Sequence, residues 1–215
     1  MREQNVIEYY VLCNKLKNII RTGWIDWKVK RKRIESVAEH IYGTQMLAIA
    51  IYSEYKYEID IKKVILMLAL HELEEIKIGD LTPFQITKEE KKKIGKRAVK
   101  DIVKNLNIKE SIENIIDEFD ERKTKEALFA HHIDKLECDL QCKLYDEENC
   151  VDLNDQEENK TYHNKEVQEL LKQGKTWSTM WMEFGQRKYN YDENFKAISN
   201  YAINNIINNN NKSEN

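Results

Sequence analysis

Proline is almost missing from this sequence: one residue, Pro83, in 215, alongside six glycines. Tight turns draw heavily on these two residues, so their scarcity excludes a turn-rich architecture and favours long helices. With abundant Lys, Glu, Ile and Leu, the expectation is an all-α fold. Cysteine is also sparse, and Cys13, Cys138, Cys142 and Cys150 are too irregularly placed for a disulfide framework. They are expected to be free thiols in a reducing cytosol. Neither sign of charge dominates: 35 Lys plus Arg against 38 Asp plus Glu give a net charge of -3. That balance excludes a global nucleic-acid surface or a polybasic membrane anchor, and any basic patch must be local. Long apolar runs are lacking at the start, where MREQNVIEYYVLCNKLKNII is interrupted by charge every few residues. The pattern excludes a secretory core or a membrane span there, and a cytoplasmic protein with no membrane partner is expected. No run of Pro, Gly or Ser divides the chain. We therefore expect one domain over 1–208, with C-terminal helices over about 160–208, and a disordered tail at 209–215 inside the tract NNIINNNNKSEN.

What is present is helical periodicity with clear start signals. Val6, Ile7, Tyr10, Val11, Leu16 and Ile19 form an apolar stripe that predicts a first helix over about 4–20. Ser36-Val37-Ala38-Glu39 has the spacing of a capping box, so a second helix starts there and carries His40 in its second turn. Asp60 can cap a third helix, whose run Val64 to Leu70 is apolar all round and is expected to be buried on every side. Thr87-Lys88-Glu89-Glu90 repeats the capping-box spacing and opens a charged fourth helix with a solvated face, ending at about Asn105. Further helices are predicted near 109–119, 123–146, 163–173, 177–189 and 193–207.

The buried third helix does not run out into a polar turn but into His71-Glu72-Leu73-Glu74-Glu75, which sets ionisable groups beside the core. Buried charge is costly unless it is paired or holds a metal. Adjacent helical positions point about 100° apart, so His71 and Glu72 can both reach one ion beyond the helix end. Taken alone, such a pair is more often structural. His40 on a second helix and Asp134 in the run Ala-Leu-Phe-Ala-His-His-Ile-Asp on a third offer convergent ligands. Imidazole nitrogen with carboxylate oxygen suits a divalent ion such as Mn, Co, Zn, Fe or Mg, and the lack of a Cys in the set argues against structural zinc.

Arg21-Thr22-Gly23-Trp24, Glu35-Ser36-Val37-Ala38-Glu39-His40, His71-Glu72-x-x-Glu75-x-x-x-Gly79-Asp80-x-Thr82-Pro83 and Asp134 together resemble the HD-domain phosphohydrolases, most closely in spacing the 5′-deoxynucleotidase branch. The likeness covers roughly residues 5 to 145, with the metal-site core at about 20–145. It implies an HD-domain helical bundle in which His40, His71, Glu72 and Asp134 bind a divalent metal. It also implies that Glu75 and Asp80 hold and activate a water, and that Arg21 contacts the substrate phosphate. The implied reaction is hydrolysis of a nucleoside 5′-monophosphate, and the implied assembly a homodimer. Physical chemistry agrees with these roles. A bound metal lowers the pKa of water towards about 7. Glu75 lies one turn beyond His71, where it can take a proton or orient the water. Asp80 can lend a second carboxylate or hold a ligand. Arg21 offers a planar fork to phosphate, and Trp24 can line the adjacent wall.

One departure stands out: the dyad reads His71-Glu72, so the carboxylate arm is one methylene longer and must fold back, or the ion must shift. Two alternatives follow: a hydrolase acting on another nucleotide or phosphate ester, and a non-catalytic metal- or nucleotide-binding protein. His131 and His132 read as structural, as does Trp27. Trp177, Trp181 and Phe184 read as a core or subunit-contact stripe, Cys138 and Cys142 as small buried hydrophobes rather than a metal site with His163, and Lys28 to Arg33 as a solvated basic loop rather than a nucleic-acid contact.

Overall fold

A computed structural model describes residues 1–208, so the tail expected at 209–215 lies outside the described residues. Eleven α-helices and one 3₁₀ segment are found among them, and no strand. The helices are α1 (Arg2–Cys13), α2 (Thr22–Asp26), α3 (Val37–Glu54), α4 (Ile61–Leu70), α5 (Glu75–Ile78), α6 (Lys88–Val103), α7 (Lys109–Glu121), α8 (Lys125–Glu147), α9 (Lys165–Lys172), α10 (Trp177–Tyr189) and α11 (Glu193–Asn204). The all-α expectation holds. None of these helices is long and apolar enough to cross a membrane.

The chain forms two compact units: residues 1–23 with 34–131, and residues 24–33 with 132–208 of the described chain. In the first unit the start signals act as read. Ser36 Oγ accepts from the Glu39 amide while the Glu39 carboxylate takes the Ser36 amide, and Thr87 and Glu90 do the same for α6. Asp60 accepts from the amides of Lys62 and Lys63 at the start of α4. Each such cap satisfies amides that the helix leaves without partners and is worth about 1 kcal/mol. The core of this unit gathers Leu16, Val37, Leu70, Leu73, Val103 and Ile116 among others, from the 3₁₀ segment (Asn14–Asn18), α3, α4, α6 and α7.

Two expectations are corrected. The first helix stops at Cys13, and Val6, Ile7, Tyr10 and Val11 face solvent, while Tyr9, Leu12 and Cys13 are the residues packed on the core. Helix α4 is not buried on every side either: Val64, Met67, Leu68 and Leu70 are buried, but Leu66 is exposed. Two short helices, α2 and α5, went unpredicted because neither is long enough to show a period.

In the second unit the aromatic rings form the core. Trp24 and Trp27 pack on Trp177 and Trp181 of α10 with centroids 5.5 to 6.3 Å apart. Trp177 and Trp181 of the α10 stripe are therefore part of this core, while Phe184 is half-buried beside Lys188. In the basic segment Lys28 pairs with Asp155 at 2.7 Å and Arg31 with Glu148 at 3.0 Å. Gly185 of α10 crosses α8 so closely that a Cβ there would stand 2.8 Å from Asp139 Oδ2. Asp139 is itself buried and accepts from Tyr191 Oη at 2.8 Å. All four cysteines are free thiols.

Candidate functional site

Helix α4 ends at Leu70, and the chain then passes through a turn, His71 to Glu74, before α5 begins at Glu75. The amides of Leu73 and Glu75 bond back to Leu70 and Glu72, at 3.0 and 3.1 Å, which tightens the turn relative to an α-helix. Glu75 is thus reached through a break in the helix rather than by one continuous turn, a refinement of the expected geometry. His71 Nδ1 lies 2.8 Å from the Leu68 carbonyl. Only an Nδ1 that carries hydrogen can bond a carbonyl, so in the neutral ring Nε2 is left with a lone pair. That Nε2 sits 3.3 Å from His40 Nε2, which α3 delivers fully buried from the turn after its capping box. Glu72 Oε1 lies 3.6 Å from His71 Nε2 and 3.9 Å from His40 Nε2. One ligand atom from each of His40, His71 and Glu72 falls within 4.8 Å of the other two.

This donor set fits a divalent cation. Two imidazole nitrogens that face each other with a carboxylate beside them are a repulsive arrangement unless a proton or a metal sits among them, and oxygen with nitrogen donors suits the borderline ions named above. The longer Glu72 arm does not take the carboxylate away from the imidazoles. Asp134 lies on α8, three residues past His131, and is buried.

Arg21 reaches the same group. Its chain segment is pinned to the start of α3 by the Arg21 amide on the Glu35 carbonyl (3.1 Å) and the Val37 amide on the Ile19 carbonyl (2.8 Å). From there its NH1 donates to Glu72 Oε1 at 3.1 Å and stands 4.0 Å from Asp80 Oδ2. Asp80 is fixed in turn by Thr22, whose amide donates to Asp80 Oδ2 at 2.7 Å and whose hydroxyl donates to the Asp80 carbonyl at 2.5 Å. Gly79 makes this turn possible, with φ 74° and ψ 171°, a backbone region open essentially to glycine alone.

Glu75 is 1 % exposed, and its Oε2 has no hydrogen-bond partner. Burial, then the charges of Glu72 and Asp80, push its pKa up to about 10, against the opposing pull of Lys91 and Arg21. Lys91 of α6 donates to Glu75 Oε1 at 3.3 Å and to the Leu81 carbonyl at 3.2 Å. Burial alone would lower the Lys91 pKa, but Glu72, Glu75, Glu74 and Asp80 hold it above its ordinary value. Reading the sequence did not find Lys91, since it is one of several lysines in KEEKKK and has no motif to set it apart.

The structure thus brings together His40, His71, Glu72, Glu75, Asp80 and Arg21 in the first unit. Trp24 is 2 % exposed, and its ring packs on Tyr145, Trp177 and Trp181, where its contribution is to the aromatic core of the second unit. His131 packs on Phe119, and His132 on Tyr191 and Phe195, in keeping with their reading as structural groups.

A model of the HD domain matches residues 13–175. A Dictyostelium discoideum protein named 5′-deoxynucleotidase HDDC2 is 36% identical over 152 residues, spanning 67% of this chain and 79% of that one. The Xenopus laevis protein of the same name is 30% identical over 147 residues, spanning 67% and 71%. Among solved structures, the Pyrococcus horikoshii protein PH0347 superposes with a TM-score of 0.61 at 21% identity, covering 92% of this chain and 98% of that one. A Magnetospirillum magnetotacticum protein superposes with a TM-score of 0.63 at 18% identity, covering 94% of each, and shares the fold. With the family model spanning most of its length and a relative of 36% identity covered over two thirds of each chain, this chain belongs to the HD-domain family.

Proposed function

We propose that the protein is a metal-dependent phosphomonoesterase that releases phosphate from (deoxy)ribonucleoside 5′-monophosphates. The observation that carries this reading is the facing pair of imidazole nitrogens, 3.3 Å apart, with Glu72 beside them and Arg21 at the edge. The substrate class rests on the relatives named 5′-deoxynucleotidase. Asp134 is proposed as the fourth ligand, which requires the two units to act as one HD domain over residues 1–208. A bound divalent ion supplies Lewis acidity and a nucleophilic water at neutral pH.

The chain's own residues do the rest. Arg21 presents a guanidinium fork to the phosphate oxygens, exchanging part of its hold on Glu72 for the incoming anion. Water adds to phosphorus as the bond from phosphorus to the 5′ oxygen breaks. In its ionised form Glu75 takes one water proton on Oε2, the oxygen with no other partner, and passes it to the departing 5′ oxygen; the second proton stays on the released phosphate. Asp80, locked by Thr22, orients that water.

The enzyme is proposed to act in the cytoplasm as a homodimer. Support for an assembly comes from α3, where Tyr42, Met46, Ile49 and Tyr52 recur on one helix face and are all exposed. The functional test is phosphate release from a panel of nucleoside 5′-monophosphates by chelated protein resupplied separately with Mn, Co, Zn and Mg. Release that returns only with metal supports the reading. Release from a different phosphate ester alone would reassign the substrate, and none from any ester would make the protein a binding module.

A further inference from the structure

Lys91 lies outside every motif read from the sequence, yet its side chain bridges Glu75 and the loop that carries Asp80. Its ammonium is held by Glu75 Oε1 at 3.3 Å and by the Leu81 carbonyl at 3.2 Å. Leu81 follows Asp80 directly, and Asp80 is anchored on its other side by Thr22. The stem of Lys91 rises from the first turn of α6, whose start is fixed by the reciprocal Thr87 and Glu90 bonds. Its side chain is mostly covered, unlike that of Lys96 on the same helix, which makes an exposed pair with Asp117. A solvated lysine has no need of a backbone carbonyl as its second acceptor. Two fixed acceptors use two of the three ammonium donors and set the direction of the third.

Holding Oε1 has a consequence for the other oxygen. A carboxylate is planar, so when one oxygen is engaged by a cation the second has a fixed direction, and in Glu75 that second oxygen has no partner. Resting on the phosphohydrolase reading above, we infer that Lys91 is a positioning residue for hydrolysis: it clamps Glu75 through Oε1 and the Asp80 loop through Leu81, presenting Oε2 to the attacking water. It acts through Glu75 and Asp80 and does not itself touch substrate. One ammonium group thus contacts Glu75 directly and, through the Leu81 carbonyl, adds to the hold that Thr22 has on the Asp80 loop.

The test is steady-state kinetics of the full chain, loaded with the activating metal, for wild type, Lys91→Met, Lys91→Arg and the control Lys96→Met, each assayed below its own melting temperature. Lys91→Met keeps the stem and removes the donors. It is expected to lower kcat by about 10- to 100-fold while KM changes by less than about threefold, the usual range for a group that orients a catalytic side chain. Lys91→Arg restores donors and is expected to recover part of the loss, and Lys96→Met to match wild type. A merely structural lysine would lower the melting temperature without splitting kcat from KM and without rescue by Arg. An unchanged kcat in Lys91→Met, or a loss shared equally by kcat and KM with no recovery in Lys91→Arg, overturns the role of Lys91 while the phosphohydrolase reading stands. Failure of wild type itself to release phosphate from any ester overturns both, and is seen before any variant is compared.

Discussion

At the scale of single residues, Glu75 carries the most distinctive electrostatic load in the first unit. Burial and two neighbouring carboxylates raise its pKa from the ordinary 4.5 to about 10. In metal-free protein the folded state therefore keeps a proton that the unfolded chain releases above about pH 4.5. Its contribution is fully present below that pH and is lost progressively as pH rises towards about 10. Thermal denaturation of chelated protein across pH 5.5 to 9 is expected to show a falling melting temperature, and Glu75→Gln, which cannot ionise, to flatten the fall. An equally steep fall in the variant would remove Glu75 as its source. Gly79 supports the same site by geometry alone. At φ 74° a Cβ strains the backbone, so Gly79→Ala is expected to cost about 1–3 kcal/mol and to misplace Asp80, measured as a joint drop in melting temperature and in kcat. The proposed metal ligands of the first unit were legible because His40, His71 and Glu72 sit in short segments where ionisable groups interrupt apolar helices. Lys91 was not, because its acceptors lie 16 and 10 residues away and meet it only through the packing of α6 on α5.

At the scale of elements, caps made the strongest sequence signals. Ser36, Asp60 and Thr87 each start the helix they were read to start, since a side-chain acceptor at the first amides is a local interaction that sequence spacing fully specifies. Apolar periodicity was a weaker guide. It describes which residues share a helix face, not which face is covered, and in α1 the stripe of Val6, Ile7, Tyr10 and Val11 is the uncovered one. Helix α5 was hidden for another reason: the break after Leu70 comes from the turn that aims His71 and Glu72, a tertiary demand without a proline or glycine to announce it. Close crossing of α10 on α8 gives a further prediction. Asp139 is buried and held by Tyr191, so it has little freedom to yield to a Cβ 2.8 Å away. Gly185→Ala is expected to destabilise the second unit by about 1–3 kcal/mol, seen by denaturant titration, and an unchanged midpoint would mean that the Asp139 carboxylate can shift.

At the scale of the whole molecule, the HD-domain fold was legible early, because the family's motifs lie in order along the chain and each sits at a helix end or turn. The unit boundary was not: it divides α8 near His132 and joins the short stretch 24–33 to the C-terminal helices through the Trp24 and Trp27 rings, a long-range packing with no local signature. The proposed dimer is also a property of this scale. Ile49→Glu places a charge in the middle of the exposed α3 face and is expected to convert a dimer to monomer in light scattering without loss of helicity. A wild-type monomer at working concentration would place the assembly elsewhere or nowhere.

His40, His71 and Glu72 are proposed to hold a divalent ion on which phosphate release depends. The most direct measurement is a titration of Mn into chelated wild type and His71→Ala, with bound metal and phosphate release from a deoxyribonucleoside 5′-monophosphate followed together. Wild-type release is expected to rise and saturate with the bound ion, and His71→Ala to bind metal weakly and stay silent. Full phosphate release from chelated protein, or from His71→Ala carrying no metal, would contradict it.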